Sequence, residues 1–257
     1  MFKKLFLLLI LLSFGNLYCQ DDDYEVAKKE FENFVFSSDS IKIQNIKNTK
    51  FEKITDIQEY HHSVTRLLDF GLTESIYELR FSYPFDIQYV KGRNVFIFLF
   101  YLHGKEVGKI VDYAQYKDEE KQISSKLDSG INDYIVKHNL FYKTNYSQKK
   151  FIDDIITKNV YGDYCGYSGS KEEKMFDLEL EKLSNVESYV NWMKSFNPEK
   201  QMWGYDQIQY LLRKELIELE TDEQKIFNHI KNRNAIVETC SDCKFGIFKR
   251  VFKIKNN

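Results

Sequence analysis

The stretch from Val95 to Leu102, Val-Phe-Ile-Phe-Leu-Phe-Tyr-Leu, limits what this chain can fold into more than any other part of it. Successive side chains of a strand point to opposite faces, so a run with no charged residue needs apolar cover on both sides. It is also too short for a membrane-spanning helix, which takes roughly 20 apolar residues. The reading is therefore a central strand in a layered domain. Upstream, Tyr77, Leu79, Phe81 and Tyr83 alternate with Glu78, Arg80 and Ser82, the pattern of a half-buried strand. Pro84 interrupts that pattern, and residues 85–90 resume it up to an expected turn over 91–94. A second turn over 103–106 leads into a strand over 107–113. Strands joined by short turns predict an antiparallel meander.

Helical spacing surrounds these strands. Tyr24, Ala27, Phe31, Phe34 and Val35 recur every three or four residues and predict a helix over 24–38. Ile41 and Ile43 alternate and predict a short strand over 40–46. Thr55 and Gln58 have the spacing of a capping box. The helix they would open carries Ile57, Tyr60, Val64, Leu67 and Leu68 and ends at Asp69-Phe70-Gly71. A further helix is expected with Ile123, Leu127, Ile131, Tyr134 and Ile135 as its apolar stripe. Residues 20–146 thus read as an α+β domain, an antiparallel sheet with helices packed on one side.

Residues 147–257 read differently. A short helix over 148–160 precedes a glycine-rich loop over 161–170. Helices then follow in quick succession, the first marked by Met175, Phe176, Leu180 and Leu183. Ser184 with Glu187 forms a capping box ahead of Val186, Tyr189, Val190 and Met193. Asn197-Pro198 is an N-cap with proline at N1, ahead of Met202, Tyr205, Ile208, Leu212 and Leu216. Thr221 with Gln224 opens the last helix, which carries Ile226, Phe227 and Ile230. In length and linkage these helices resemble one or two units of a HEAT-type helical array, although no repeat motif recurs. Residues 235–254 close the chain as a strand or hairpin bearing Cys240 and Cys243.

Residues 1–19 read as a signal peptide: Lys3 and Lys4 precede an apolar run from Leu5 to Phe14. Cleavage after Cys19 would export the chain to the periplasm or beyond. The rival is an outer-membrane or surface lipoprotein anchored through an acylated Cys19, whose acidic sequel Asp21-Asp22-Asp23 resembles that of some surface-exported bacterial lipoproteins. Asn16 and Tyr18 fit the lipoprotein box poorly, which favours simple secretion. No later segment reads as a transmembrane helix. Loss of residues 1–19 takes two lysines and no acid from 37 basic and 39 acidic residues, moving the net charge from −2 to about −4. A mixed, mildly acidic chain lacks the concentrated basic face that nucleic acid requires.

Cysteine chemistry depends on the compartment. With Cys19 removed, Cys165, Cys240 and Cys243 remain, an odd number. A thioredoxin-like reading of Cys240-Ser241-Asp242-Cys243 fails because the pair follows a strand rather than opening a helix. A Cys3His zinc site from Cys165, Cys240, Cys243 and His229 is conceivable, but its second half lacks a paired spacing. A disulfide from Cys165 to Cys240 or Cys243 is favoured. Closing a loop of about 75 residues is worth roughly 4–5 kcal/mol by chain entropy, against about 2 for the Cys240–Cys243 ring. Cys165 as a nucleophile lacks a visible base, and Gly166-Tyr167-Ser168-Gly169-Ser170 misses the last glycine of the serine-hydrolase turn. Vicinal His61 and His62, on one helix, would diverge rather than chelate. No catalytic constellation and no cofactor motif emerges. The functional expectation is an exported cell-envelope protein that binds another protein without catalysis, of which an immunity or inhibitor protein is one version. The alternative is a hydrolase or zinc-dependent enzyme using Cys165 with Cys240 and Cys243.

Overall fold

The computed structural model describes residues 26, 29–46, 57–84, 90–114, 122–157, 159–162, 185–241 and 244–252. It is an α+β protein built on a five-stranded antiparallel sheet. The strands are β1 (Ile57–Leu67), β2 (Leu72–Pro84), β3 (Val90–Leu102), β4 (Lys105–Ala114) and β5 (Gln122–Leu127), in spatial order β1-β2-β3-β4-β5. The meander expected from the sequence is present, with β3 in the middle, and Val95 through Phe100 are buried on both faces. The expected turn over 91–94 is absent because those residues lie inside β3. His103 and Gly104, both with positive φ, make the β3–β4 turn. The expected continuation over 85–89, like the helix marked by Met175 and Leu180, lies outside the described residues.

Three local expectations are overturned. Residues 57–67 form strand β1, not a helix, so His61 and His62 sit on a strand. The apolar residues there do follow helical spacing, but pairing with β2 prevails. Arg66 is buried while Leu67 is 53 % exposed, so charge points in and hydrocarbon out. Residues 40–46 carry helix α2 (Ser40–Gln44) instead of a strand, because Asp39 caps it by accepting from the Lys42 amide at 2.9 Å. Ile43 within it and Ile46 just beyond its end are buried, and Ile41 is exposed. Residues 122–127 are β5, where Ile123 is exposed, and the helix begins only after Asp128.

The chain divides into two compact units, and the division runs across the strands. One comprises residues 1–62, 76–98 and 110–124. Its described core is Phe31 and Val35 from helix α1 (29–37), Ile43 and Ile46, and Leu79, Val95, Ile97, Ile110 and Val111 from the sheet. Phe36 packs near Tyr113 with ring centroids 6.2 Å apart, fixing α1 against β4.

The other unit comprises residues 63–75, 99–109 and 125–257. Its helices are α3 (Ser129–Tyr142), α4 (Gln148–Ile156), α5 (Val186–Met193), α6 (Pro198–Arg213) and α7 (Thr221–Arg233). Asn197 caps α6 as its sequence predicts, accepting from the Lys200 amide at 2.9 Å with Pro198 at N1. Helix α7 starts one residue earlier than expected: Glu220 is the N-cap, and its amide donates to the Glu223 carboxylate at 3.1 Å. Leu216 lies beyond the end of α6 and is exposed, so it does not line that helix. Helices α5 and α6 cross at Gly204, where a Cβ would stand 2.5 Å from the Tyr189 carbonyl oxygen. No larger residue fits without moving one helix. Strands β6 (Ile236–Ser241) and β7 (Lys244–Arg250) form an antiparallel hairpin. Tyr161 joins β6 through a parallel bridge to Thr239, its amide donating to the Glu238 carbonyl at 2.9 Å. Among the described residues no helix is long and apolar enough to cross a membrane.

Candidate functional site

The polar interior of the helical unit starts at Asp69-Phe70-Gly71, expected from sequence to end a helix. It is instead a 3-10 turn between β1 and β2. Phe70 has φ 53° and Gly71 φ 83°, so the backbone doubles back within three residues. A left-handed conformation is costly for phenylalanine and persists where surrounding contacts hold it. Here they do. Asp69 points inward, 2 % exposed, and the Leu68 amide donates to the Leu72 carbonyl across the turn at 2.7 Å.

A closed ring of hydrogen bonds forms on Asp69. The Tyr142 hydroxyl donates to one carboxylate oxygen at 2.8 Å and accepts from the Gln201 side-chain amide at 3.1 Å. The Gln201 carbonyl accepts from Arg233 Nη2 at 2.5 Å, and Arg233 Nη1 returns to Asp69 Oδ1 at 2.5 Å. Four residues from four elements (the turn, α3, α6 and α7) thus lock one another. Burial alone would raise the Asp69 carboxyl. The Arg233 charge, with hydrogen bonds from His229 and Tyr142, overturns that and holds it well below the usual carboxylate range. Tyr142 moves the other way, pushed well up by burial and by the neighbouring Asp69 charge.

His229 branches outward from this ring. Its Nε2 lies 2.8 Å from Asp69 Oδ1. An ionised carboxylate only accepts, so Nε2 must carry the proton. In the neutral ring Nδ1 then holds the lone pair, and it makes no hydrogen bond to a described residue. The side chain is 29 % exposed. Its ring stacks on Phe70 at 6.0 Å and lies 4.6 Å from Phe141, over which the Lys225 ammonium also sits, 5.0 Å from the ring centroid. This corner of α3 and α7 offers a fixed proton acceptor, a cation and an aromatic face. Beside it on α3, Val136 and Leu140 are 56 % and 70 % exposed.

A second buried cluster shares helix α6. Arg66 Nε donates to Glu74 at 2.6 Å, and its Nη1 pairs with Glu199, which also accepts from the Glu238 amide at 2.7 Å. Two carboxylates compete for one guanidinium. Burial dominates for Glu74, whose carboxyl is raised despite the Arg66 charge. Its Oε1 has no hydrogen-bond partner among the described residues.

The cysteines enter only in part. Cys240 lies in β6, 7 % exposed. Its sulfur stands 3.0 Å from where a Cβ on Gly162 would be. Cys19, Cys165 and Cys243 fall outside the described residues. His229 offers a metal only Nδ1, since Asp69 engages Nε2. No group of three or more His, Cys, Asp or Glu residues is gathered as a metal site among the described residues.

Sequence reasoning passed over Asp69, Arg233, Gln201, Tyr142, Arg66 and Glu199. Part of the signal was available: Gln201 sits one residue before Met202 in a helix otherwise read only for its apolar positions. Comparison with protein-family models, curated proteins and solved structures finds no match.

Proposed function

We propose that this chain is an exported cell-envelope protein that binds another protein without catalysing a reaction, and that it docks through the α3–α7 corner. The observation that carries the proposal is the pair Val136 and Leu140, one turn apart and largely exposed on α3. The opposite face of that helix is immobilised by Tyr142 in the Asp69 ring. Rigid presentation lowers the entropy cost of binding, and a partner would gain apolar burial beside directional contacts to His229 and Lys225. An immunity or inhibitor protein is the concrete form of this reading. Its helices would serve as a short HEAT-like array, a design that builds interaction surfaces.

Export rests on residues 1–19. A Cys165–Cys240 staple is the covalent part of the proposal, supported by the approach of Gly162, three residues before Cys165, to the Cys240 sulfur. Capture from native envelope extracts with the full mature chain tests the docking face. One recurrent partner should be recovered by the wild type and lost at least tenfold with Leu140→Glu, while the fold is retained. Equal recovery by both removes α3 from the interface. Stoichiometric zinc in purified protein would favour the hydrolytic alternative and displace the staple.

A further inference from the structure

We propose that His138 is an acid-operated release built into the helical unit: protonating it frees α3 from the turn that carries Phe196 and loosens the packing around Tyr142. The argument starts from position. Ile131, Tyr134, Ile135, His138 and Tyr142 form one face of α3, and all five are buried, the histidine fully. A histidine thus occupies a place that the helical period assigns to hydrocarbon. Its ring lies between the rings of Phe196 at 4.0 Å and Tyr142 at 4.3 Å, each tilted by about 30°, with Tyr134 and Tyr146 further out. Neither ring nitrogen has a hydrogen-bond partner among the described residues. The Ser195 backbone is near enough to favour the proton slightly but falls short of hydrogen-bond geometry.

A neutral imidazole tolerates this cage with one unsatisfied donor. An imidazolium would bring a second donor and a full charge into an aromatic cage where the Ser195 backbone compensates only weakly. The charged groups that face it do not compensate. Asp69 in the β1–β2 turn and Asp154 on α4 favour the proton, and Arg233 on α7 opposes it. Both carboxylates are already engaged. Asp69 accepts from Tyr142, His229 and Arg233. Asp154 accepts from Ser195 Oγ at 2.9 Å, the Phe196 amide at 3.1 Å and Lys150 at 2.5 Å. Tyr134 and Tyr142 carry no charge, since burial raises both hydroxyls further. Desolvation therefore dominates and lowers His138 from 6.5 to about 4.

The sign of the linkage follows. With its folded pKa depressed, the histidine costs nothing above pH 6.5, where both states are neutral. Between pH 6.5 and about 4 the unfolded or opened state takes up the proton first, so stability falls with pH, and below that it falls no further on this account. The full span is a roughly 300-fold rise in the unfolding constant, tenfold per pH unit at its steepest. Tyr142 lies one turn from His138 on α3 and is also a member of the Asp69 ring. Opening at His138 is thereby passed to the ring.

Urea unfolding of the wild type and His138→Phe, at pH values from 7.5 to 4, tests the proposal. Between pH 7.5 and 4 the wild-type unfolding constant should rise by about 150-fold more than that of the variant, whose phenyl ring suits the same cage. Parallel pH profiles would overturn it. Nitrogen-15 NMR of the wild type gives an answer even if the variant fails to fold. His138 should remain neutral at pH 5.5, and titration near 6.5 in the folded protein would reject the mechanism.

Discussion

The two units stabilise themselves by different means. Around α1, α2 and the strand segments of the first unit, the interior is largely hydrocarbon: Phe31, Val35, Ile43, Ile97 and Ile110 are fully buried. Such a core is specified by volume and pattern, and hydrophobic residues of similar size can replace one another at modest cost. The helical unit instead buries Arg66, Asp69, Glu74, His138, Asp154, Glu199 and Gln201 among its aromatics. Apart from His138, these groups are matched in hydrogen bonding or charge, which fixes partners individually. Apolar packing tolerates error; the polar interior does not.

The largest expected effect comes from Asp69→Ala, which strands Arg233 and the Tyr142 hydroxyl. A loss of about 3–5 kcal/mol in urea unfolding at pH 7 is expected, as when one partner of a buried ion pair is removed. Adding Arg233→Met to that background should recover part of the loss, because the uncompensated charge goes with it. Failure to recover would mean that the ring holds the helices by shape rather than by charge balance. Next comes Ile97→Ala in the hydrocarbon core, expected to cost about 2–4 kcal/mol through lost burial and a cavity. Its penalty should stay flat between pH 7.5 and 5, since no titrating group is involved. A pH-dependent penalty would erase the contrast between the units. Smallest is Gly204→Ala. Better helix propensity offsets part of the clash with the Tyr189 carbonyl, leaving a net loss of about 1–2 kcal/mol by thermal unfolding.

What could be read from the sequence follows the same division. Strand β3 was legible because Val95–Leu102 allows no exposed face, and the start of α6 because Asn197-Pro198 acts locally. Strand β1 was not. Its apolar spacing at Ile57, Tyr60, Val64, Leu67 and Leu68 is helical, and the decisive contacts come from β2: Thr65 Oγ1 to Ser75 Oγ at 2.8 Å and Arg66 to Glu74. Misreading β1 carried Asp69 with it, since a helix end and a tight turn share the same Asp-Phe-Gly. The ring joins residues up to 164 positions apart, and no local pattern announces such a meeting. His138 was different. It continues the stripe through Ile131, Tyr134 and Ile135, and extending that stripe by one turn would have found it.

Glu199 and Gln201 are two residues apart on α6, so they leave the helix axis roughly 200° apart. One enters the Arg66 cluster and the other the Asp69 ring. A helix held by apolar contacts alone can slip or roll by part of a turn and find another acceptable seat. This one is notched on opposite sides, like a double-bitted key, and a roll large enough to bring either neighbour into place would withdraw both notches from their wards. Among the described elements of this unit, α6 therefore sets the rotational alignment to which the surrounding helices and the β1–β2 turn must conform.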